Sequence, residues 1–443
     1  MTLNAVSAVP KRLATLALHP SVWLEFTPLA AVTRSVNLGQ GFPDWEPPSF
    51  VLQAAARAAA QPAATVQQYA RSRGHPQLAQ VICEVYGKRR FGGRVLNPQE
   101  NVLVTNGASG AIYLALVSLV DEGDEVLLVE PAFDIYFGAV KMAGGTAKHV
   151  PLRPRYPQAQ SAADLELDDA ALEAAITPRT RVLLLNTPHN PTGKVMTRDE
   201  LEAVAAVIRR YPQVTVVSDE VYEHLVYDGA RHVSMASLPG MFERCLSIFS
   251  AGKTFSVTGW KIGWVIGGAA LVQRLHNAQQ FVVFSVCTPM QAAVAECLEH
   301  AERTDYYAQL ARRMQHRRDQ LLKALRAAHL QPLVPQGGYF VVADGAALPA
   351  CRHEFPEGMQ QLLQEQQRSG NAHGLEVDER TRHRRDYNLA RWMSLQRRVT
   401  PIPLSVFYGP ATADANDTWL RFAFCKRDEM LEAAAERLRQ QEV

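Results

Sequence analysis

In Ser250-Ala-Gly-Lys-Thr-Phe-Ser-Val-Thr-Gly-Trp260 a lysine follows an apolar run and a glycine, among small, hydroxyl and aromatic residues. Lysine is ordinarily a solvated surface charge. One desolvated in such a setting has a lowered pKa and acts as an imine-forming nucleophile, so Lys253 is the first candidate for covalent chemistry. Asp219 ends the run Val214-Thr-Val-Val-Ser-Asp219 and precedes Glu220-Val-Tyr222. A carboxylate at the C-terminal end of a buried strand lies where an open α/β sheet makes its ligand contacts. An aspartate there is equally suited to capping a helix.

Three further segments carry polar groups in restrained settings. Asn186-Thr-Pro-His-Asn-Pro-Thr-Gly193 follows another apolar run. Its two prolines and glycine make a fixed turn, from which Asn186 and Asn190 can present amides. Simple turn chemistry is the plainer alternative, but the length of the motif makes it the most specific in the chain. Thr105-Asn-Gly-Ala-Ser-Gly-Ala111 joins a strand to a helix through two glycines. Free N–H groups at a helix N-terminus cradle phosphate, although glycine is common in such turns. It is neither the GxGxxG dinucleotide fingerprint nor a P-loop. Arg421, in the alternating stretch Trp419-Leu-Arg-Phe-Ala-Phe424, serves either a bidentate carboxylate or a buried ion pair.

The elements that must hold these residues follow from patterning. Unbroken apolar runs at 101–105, 125–129, 181–186, 214–219, 246–249 and 262–266 suit strands covered on both faces. Helical stretches lie between them, as at 108–120 and 197–211, and the alternation reads as α/β with a mostly parallel sheet. From about residue 310 the style changes to a charged helix (312–328), strands near 334–342, 399–406 and 419–424, and a closing amphipathic helix (429–440). That reads as a smaller α+β domain. The expected division is an N-terminal arm with part of the small domain (1–45), a large domain (46–310) and a small domain (311–443). The Gln-, Arg- and His-rich stretch at about 345–390 has no fold-forming periodicity and reads as a polar surface insertion.

Composition excludes several classes. The chain has 443 residues, 47% hydrophobic and 20% charged, enough for a substantial core. Forty-six basic against 44 acidic residues give a net charge of +2, without the footprint of a nucleic-acid or membrane-surface binder. The longest strongly apolar stretch, near 111–120, is well short of the roughly 20 residues a bilayer requires. Six scattered cysteines form no CxxC pair, so free thiols are expected and no metal site. The acid-free first 24 residues, with Lys11 and Arg12, faintly suggest a presequence. Pro20, Trp23 and Phe26 are expected to interrupt a simple amphipathic helix there, which favours an ordered arm and a cytoplasmic location.

These features in this order resemble the fold-type I pyridoxal-phosphate aminotransferases of class I/II. The likeness is greatest to the kynurenine aminotransferase group (glutamine transaminase K, cysteine-S-conjugate β-lyase) and the bacterial methionine aminotransferases. It rests on Asn37-Leu-Gly-Gln-Gly-Phe-Pro-Asp44, residues 186–193, Ser218-Asp-Glu-Val-Tyr222 and the segment 250–261. The resemblance implies that Lys253 carries the cofactor and moves the Cα proton, and that Asp219 pairs with the pyridine nitrogen. By the same likeness Tyr222 and Asn190 donate to the phenolate oxygen, with Asn186 beside them, and Phe133 stacks on the ring. Ser250, Lys261 and the backbone at Ala108 and Ser109 match phosphate ligands, and Tyr69 matches a tyrosine reaching the phosphate of the other subunit of a homodimer. Arg421 matches the grip on the substrate α-carboxylate, with Gly41 and Asn190 beside it, and Trp23 matches a wall of the substrate pocket.

The chain departs from animal kynurenine aminotransferases, which carry tyrosine where Ser109 stands and histidine where Ser285 stands. The segment Phe284-Ser-Val-Cys287 resembles the methionine-specific relatives instead and is expected, with Trp23, to wall the substrate pocket. The expected activity is transamination between a 2-oxo acid and an aromatic, sulfur-containing or glutamine-type L-amino acid such as kynurenine, methionine, glutamine or phenylalanine. A side β-lyase activity on cysteine S-conjugates is expected, with a main role as such a lyase as the alternative.

Overall fold

A computed structural model of the chain describes residues 21–62, 66–156, 159–370 and 374–439. Its largest sheet has eight strands, in the spatial order Val102–Asn106, Ile262–Gly267, Cys245–Ser250, Thr215–Asp219, Thr180–Asn186, Glu125–Glu130, Thr146–Pro154 and Leu165–Leu167. Five neighbouring strands, from Cys245–Ser250 to Thr146–Pro154, run parallel. Successive residues of a strand point to opposite faces, and here both faces are buried. Leu183 and Leu185 enter one core while Val182 and Leu184 enter the other, and Val216 and Val217 divide the same way. This double covering explains why the strands read as continuous apolar runs rather than alternating ones. The expected α/β class is the one observed.

One reversal matters for function. Ile262–Gly267 runs antiparallel to both its neighbours. It therefore begins at the edge of the sheet where the five parallel strands and Val102–Asn106 end, and Lys261 stands beside the ends of Val102–Asn106 and Cys245–Ser250. Backbones crowd there: a Cβ on Gly263 would lie 2.7 Å from Gly107 C and 2.9 Å from Ala108 N. Only glycine lets this strand and the start of helix Gly107–Leu119, which follows Val102–Asn106, come this close.

A smaller antiparallel sheet, ordered Gln331–Leu333, Phe340–Asp344, Trp419–Ala423 and Ile402–Pro403, carries Arg421. The long helix Tyr306–Ala327 and the closing helix Asp428–Arg439 accompany it. Near the N-terminus Val36–Asn37 pairs in parallel with Val399–Thr400, which ties the first described helix, Trp23–Val32, to this part of the molecule. Trp23 and Phe26 do not interrupt helix there, as expected from sequence, but open it; aromatic residues lower helix propensity only slightly. The readings placed on Lys11, Arg12 and Pro20 lie outside the described residues.

The polar stretch at 345–390 is the clearest correction. It contains the helices Glu357–Arg368 and Arg385–Trp392, and the second buries Asp386, Tyr387, Asn388, Leu389, Ala390 and Arg391. Burial without apolar periodicity is possible because Asp386, Asn388 and Arg391 are all hydrogen-bonded. Asp386 accepts from the Ser405 amide at 2.8 Å, and Asn388 Nδ2 donates to the His353 and Arg382 carbonyls, both at 2.8 Å. Strands Thr146–Pro154 and Leu165–Leu167 also went unread, because their mixed exposure breaks any simple pattern.

The crowding at Gly263 yields a direct test. Gly263→Ala should lower unfolding free energy by about 1–3 kcal/mol, the usual cost of overpacking, in denaturant titrations. An unchanged midpoint would mean that the Gly107 turn yields freely.

Candidate active site

The ends of these strands surround a cavity of about 210 Å³. Gly41, Ala108, Ser109, Phe133, Asn186, Asn190, Asp219, Tyr222, Ser250, Lys253, Lys261, Arg421 and Trp23 all line it. Of the residues matched from sequence to cofactor or substrate, Tyr69 lies elsewhere: it is 82% exposed, and its ring meets Phe284 edge-on at 5.3 Å. The segment 284–287, expected to wall the pocket, is likewise at the surface of its own chain. Helix Ala269–Val282 ends just before it, Phe284 takes a left-handed φ of 64° and is 54% exposed, and Cys287 is exposed.

Lys253 sits in the one-turn helix Ala251–Thr254 that follows strand Cys245–Ser250. Its Nζ donates to Gly41 O at 2.9 Å and lies 5.6 Å from each of the Tyr222 and Tyr339 rings. Burial pushes its pKa down to about 8, Arg421 and Lys261 add to the fall, and Asp219 opposes it. The amine is thus available as a nucleophile far below the range of a surface lysine.

Asp219 caps no helix, because the chain passes into turns after it. One carboxylate oxygen accepts from Tyr136 Oη at 2.6 Å and the other from the Val221 amide at 3.4 Å. No cation stands within ion-pair distance among the described residues, and burial raises its pKa to about 6. The neighbouring strand is locked to it: Asn186 Nδ2 donates to Asp219 O at 2.9 Å, while Asn186 Oδ1 accepts from the Asn190 amide at 2.6 Å. The 186–193 motif is therefore a side-chain-bonded turn, with cis bonds before Pro188 and Pro191, that delivers Asn190 to the cavity. Tyr222 is buried against Tyr339 and Phe340, which holds its phenol well above the usual range.

Arg421 resolves its own alternatives. It is 1% exposed, and among the described residues no carboxylate comes within 4 Å of it. Its Nη1 donates to Asn190 Oδ1 at 3.0 Å and its Nη2 to Gly39 O at 2.8 Å, while Nε has no partner. Phe340, Phe407 and Trp23 face the guanidinium at 4.0, 4.7 and 5.5 Å. Burial brings its pKa down to about 10. A buried planar cation with an orphaned donor suits an incoming carboxylate.

At the opposite end, helix Gly107–Leu119 has no side-chain cap, so its first amides are free toward the cavity. Gly107 has φ +67°, and a Cβ there would lie 3.3 Å from Lys261 Nζ. Ser250 Oγ stands at the start of its own short helix. These donors fit a phosphate dianion, Asp219 fits a protonated ring nitrogen, and Lys253 fits an aldehyde carbon. Residues sequence reasoning missed are Tyr136, which bonds Asp219, and Asp134, which accepts from Trp23 Nε1 at 3.0 Å. Both follow Phe133 within one helical turn, the signal that could have revealed them.

Comparisons with known proteins agree in kind. Residues 33–438 match the family described as aminotransferase class I and II. A kynurenine–oxoglutarate transaminase from Dictyostelium discoideum is 41% identical, over 95% of this chain and 93% of its own length. Among solved structures, N-succinyldiaminopimelate aminotransferase from Mycobacterium tuberculosis superposes with a TM-score of 0.81 at 36% identity, covering 98% of this chain and 99% of that one. An Escherichia coli protein with a methionine aminotransferase function superposes with a TM-score of 0.81 at 29% identity, covering 98% and 100%.

The lowered lysine pKa is measurable residue by residue. In competitive acetylation of the cofactor-free protein followed by peptide mapping, Lys253 should become reactive with a midpoint near pH 8. A midpoint in the ordinary lysine range, near about 10.4, would remove the argument for a desolvated nucleophile.

Proposed function

The chain belongs to the class I and II aminotransferases, and on that footing we propose which substrates it takes and which residues act on them. The amino donor is an aromatic, sulfur-containing or glutamine-type L-amino acid, kynurenine, methionine, glutamine and phenylalanine among them, and the acceptor is a 2-oxo acid. The observation that carries this reading is the charge arrangement of the cavity. Its lining holds three cations, Lys253, Lys261 and Arg421, and apolar walls from Trp23, Phe133, Ile112 and Phe340. With Lys253 and Lys261 engaged by the cofactor, Arg421 alone remains for the α-carboxylate. No cation is left within the cavity of one chain for a distal carboxylate.

Pyridoxal phosphate, when bound, supplies an aldehyde carbon for the amino group and a ring that draws electron density from Cα. Lys253 would hold the cofactor at rest, and its freed amine would move the proton at the substrate Cα. Asp219 keeps the ring nitrogen protonated, and that cation returns the carboxylate to the ionised form its burial disfavours. Tyr222 and Asn190 donate to the phenolate oxygen, and Phe133 supplies the aromatic face. Ser250, Lys261 and the amides of Ala108 and Ser109 hold the phosphate. With a cysteine S-conjugate, loss of the Cα proton would break the Cβ–S bond with departure of a thiolate, and hydrolysis of the remaining three-carbon fragment by one water would release pyruvate and ammonia.

A cytoplasmic homodimer is the setting this reading assigns. Tyr69 with Phe284, and the nearby Phe281 at 92% exposure, form an aromatic surface suited to a second copy. Tyr69 then reaches the partner's phosphate, and the 284–287 segment adjoins the partner's pocket. Among the described residues no helix is long and apolar enough to cross a membrane.

Two experiments test the proposal. With one acceptor, kcat/KM for methionine, phenylalanine, kynurenine and glutamine should exceed that for aspartate by at least about tenfold, the smallest discrimination a mismatched pocket usually gives. Aspartate or a succinylated diamino acid as the best donor would overturn the pocket argument and leave the family intact. Separately, Arg421→Lys should raise KM for every donor by at least about tenfold, because an ammonium cannot reproduce the planar fork. Unchanged kinetics would return Arg421 to a purely structural place.

A further inference from the structure

The helix Trp23–Val32 presents two faces. Trp23 and Glu25 are two positions apart, about 200° around the axis, so they point in opposite directions. Trp23 lines the cavity, with its indole donating to Asp134 Oδ2 at 3.0 Å and its ring 5.5 Å from the Arg421 guanidinium. Glu25 points the other way, into the segment at 374–391.

That segment grips the helix at two points. Arg391 meets Glu25 in a fork, Nε to Oε1 at 2.6 Å and Nη2 to Oε2 at 3.0 Å, with both side chains almost wholly buried. The remaining guanidinium donors go to Thr381 O, Thr381 Oγ1 and Asn388 Oδ1 at 3.1, 2.7 and 2.8 Å, so the arginine is fixed from its own side. The second grip answers a defect in the helix. Pro28 lies inside it and has no N–H for the carbonyl four residues earlier, Leu24. The Glu376 amide donates to that carbonyl instead, at 3.4 Å. Tyr387 packs on Phe26 with ring centroids 5.9 Å apart.

We propose that the segment 374–391 is a positioning device for the substrate pocket, and that Arg391, through Glu25, sets where Trp23 stands relative to Arg421. Arg391 touches no part of the cavity and acts only through the helix. Arginine is suited to the task because its planar fork fixes orientation as well as distance, which an ammonium does not. Breaking one partner of a buried pair leaves the other charge uncompensated, so the helix would shift until Glu25 reached water or neutralised. Trp23 would move with it, and donors whose side chains reach that wall would lose more than donors that do not.

The inference rests on the proposed pocket, and its test separates the two. Steady-state constants are measured for phenylalanine and alanine with the cofactor-loaded wild type, Arg391→Lys and Trp23→Ala. Arg391→Lys is expected to raise KM for phenylalanine about tenfold relative to alanine, with kcat changing less and the visible cofactor band unaltered. Trp23→Ala should shift the same ratio in the same direction. If Trp23→Ala moves the ratio and Arg391→Lys does not, the inference fails and the pocket stands. If neither moves it, the pocket assignment fails and takes the inference with it. Should Arg391→Lys not fold, Glu25→Gln, which keeps the shape and one acceptor, is read in the same way.

Discussion

Three charged side chains, Asp219, Lys253 and Arg421, converge on one buried cavity with no oppositely charged partner within 4 Å among the described residues. Isolated charges away from water cost several kcal/mol each after relaxation. The pKa values move accordingly, each toward its neutral form: Asp219 up to about 6, Lys253 down to about 8 and Arg421 down to about 10. For Asp219, which is 5% exposed, the shift amounts to roughly 3 kcal/mol withheld from the ionised protein. Most of the scaffold is organised to sustain that arrangement. Two cores clamp the sheet on both faces, so strand ends cannot relax outward to let the charges reach water. On the proposed reading the cofactor and substrate bring the missing countercharges, a ring cation to the aspartate and a carboxylate to the arginine. The site binds what completes it.

The same constraint explains the topology. Parallel strands bring their C-terminal ends to one edge, which gathers Phe133, Asn186, Asp219 and Ser250 from chain positions more than a hundred residues apart. A parallel strand would have carried Lys261 to the far edge of the sheet. The antiparallel course of Ile262–Gly267 starts it at the near edge instead, opposite the uncapped amides of helix Gly107–Leu119. The small sheet then adds Arg421 from across the cleft. Its guanidinium is tethered by Gly39 O and Asn190 Oδ1, one contact from the N-terminal loop and one from the large sheet. Lys253 is tethered by Gly41 O of the same loop. A single short stretch of backbone, Asn37-Leu-Gly-Gln-Gly41, therefore sets the spacing between nucleophile and carboxylate grip.

Much of this was legible in the sequence, for identifiable reasons. Doubly buried strands are compositionally extreme, so six were placed within a residue or two of their ends. The polar residues that follow such strands had few places to go except the ligand edge. What escaped notice was polar structure whose burial depends on partners distant in sequence. Arg391 and Glu25 are 366 positions apart, and neither lies on an apolar stripe, so the helix Arg385–Trp392 read as surface. Tyr136 and Asp134 looked like ordinary helix residues until their partners Asp219 and Trp23 were placed in space. The segment 284–287 failed differently. Its small and aromatic residues suit a pocket wall, but within one chain they stand outside the cavity, and on the proposed reading only a second copy brings them beside one.

The division of labour between the two parts of the site follows from where rigidity is available. The groups assigned on the proposed reading to the reacting atoms stand at the ends of strands whose residues are almost entirely buried, where displacement would disrupt two cores at once. Trp23, which faces the side chain of a donor on the proposed reading, stands on a ten-residue helix containing a proline. That helix buries Phe26 and Leu29 in the core and lies against the short strand pair Val36–Asn37 and Val399–Thr400, away from the eight-stranded sheet. Its polar restraints include a hydrogen bond from Trp23 to Asp134, the Arg391 fork on Glu25 and the Glu376 amide on Leu24 O, contacts that can be altered without touching the strand ends. A donor wall built this way can be re-set by changes in the 374–391 segment while the charges at Lys253 and Asp219 remain undisturbed. On the proposed reading, donor preference then has a physical outlet in this chain, because the orientation of Trp23 is set partly by polar contacts while the groups at the strand ends are fixed by two cores.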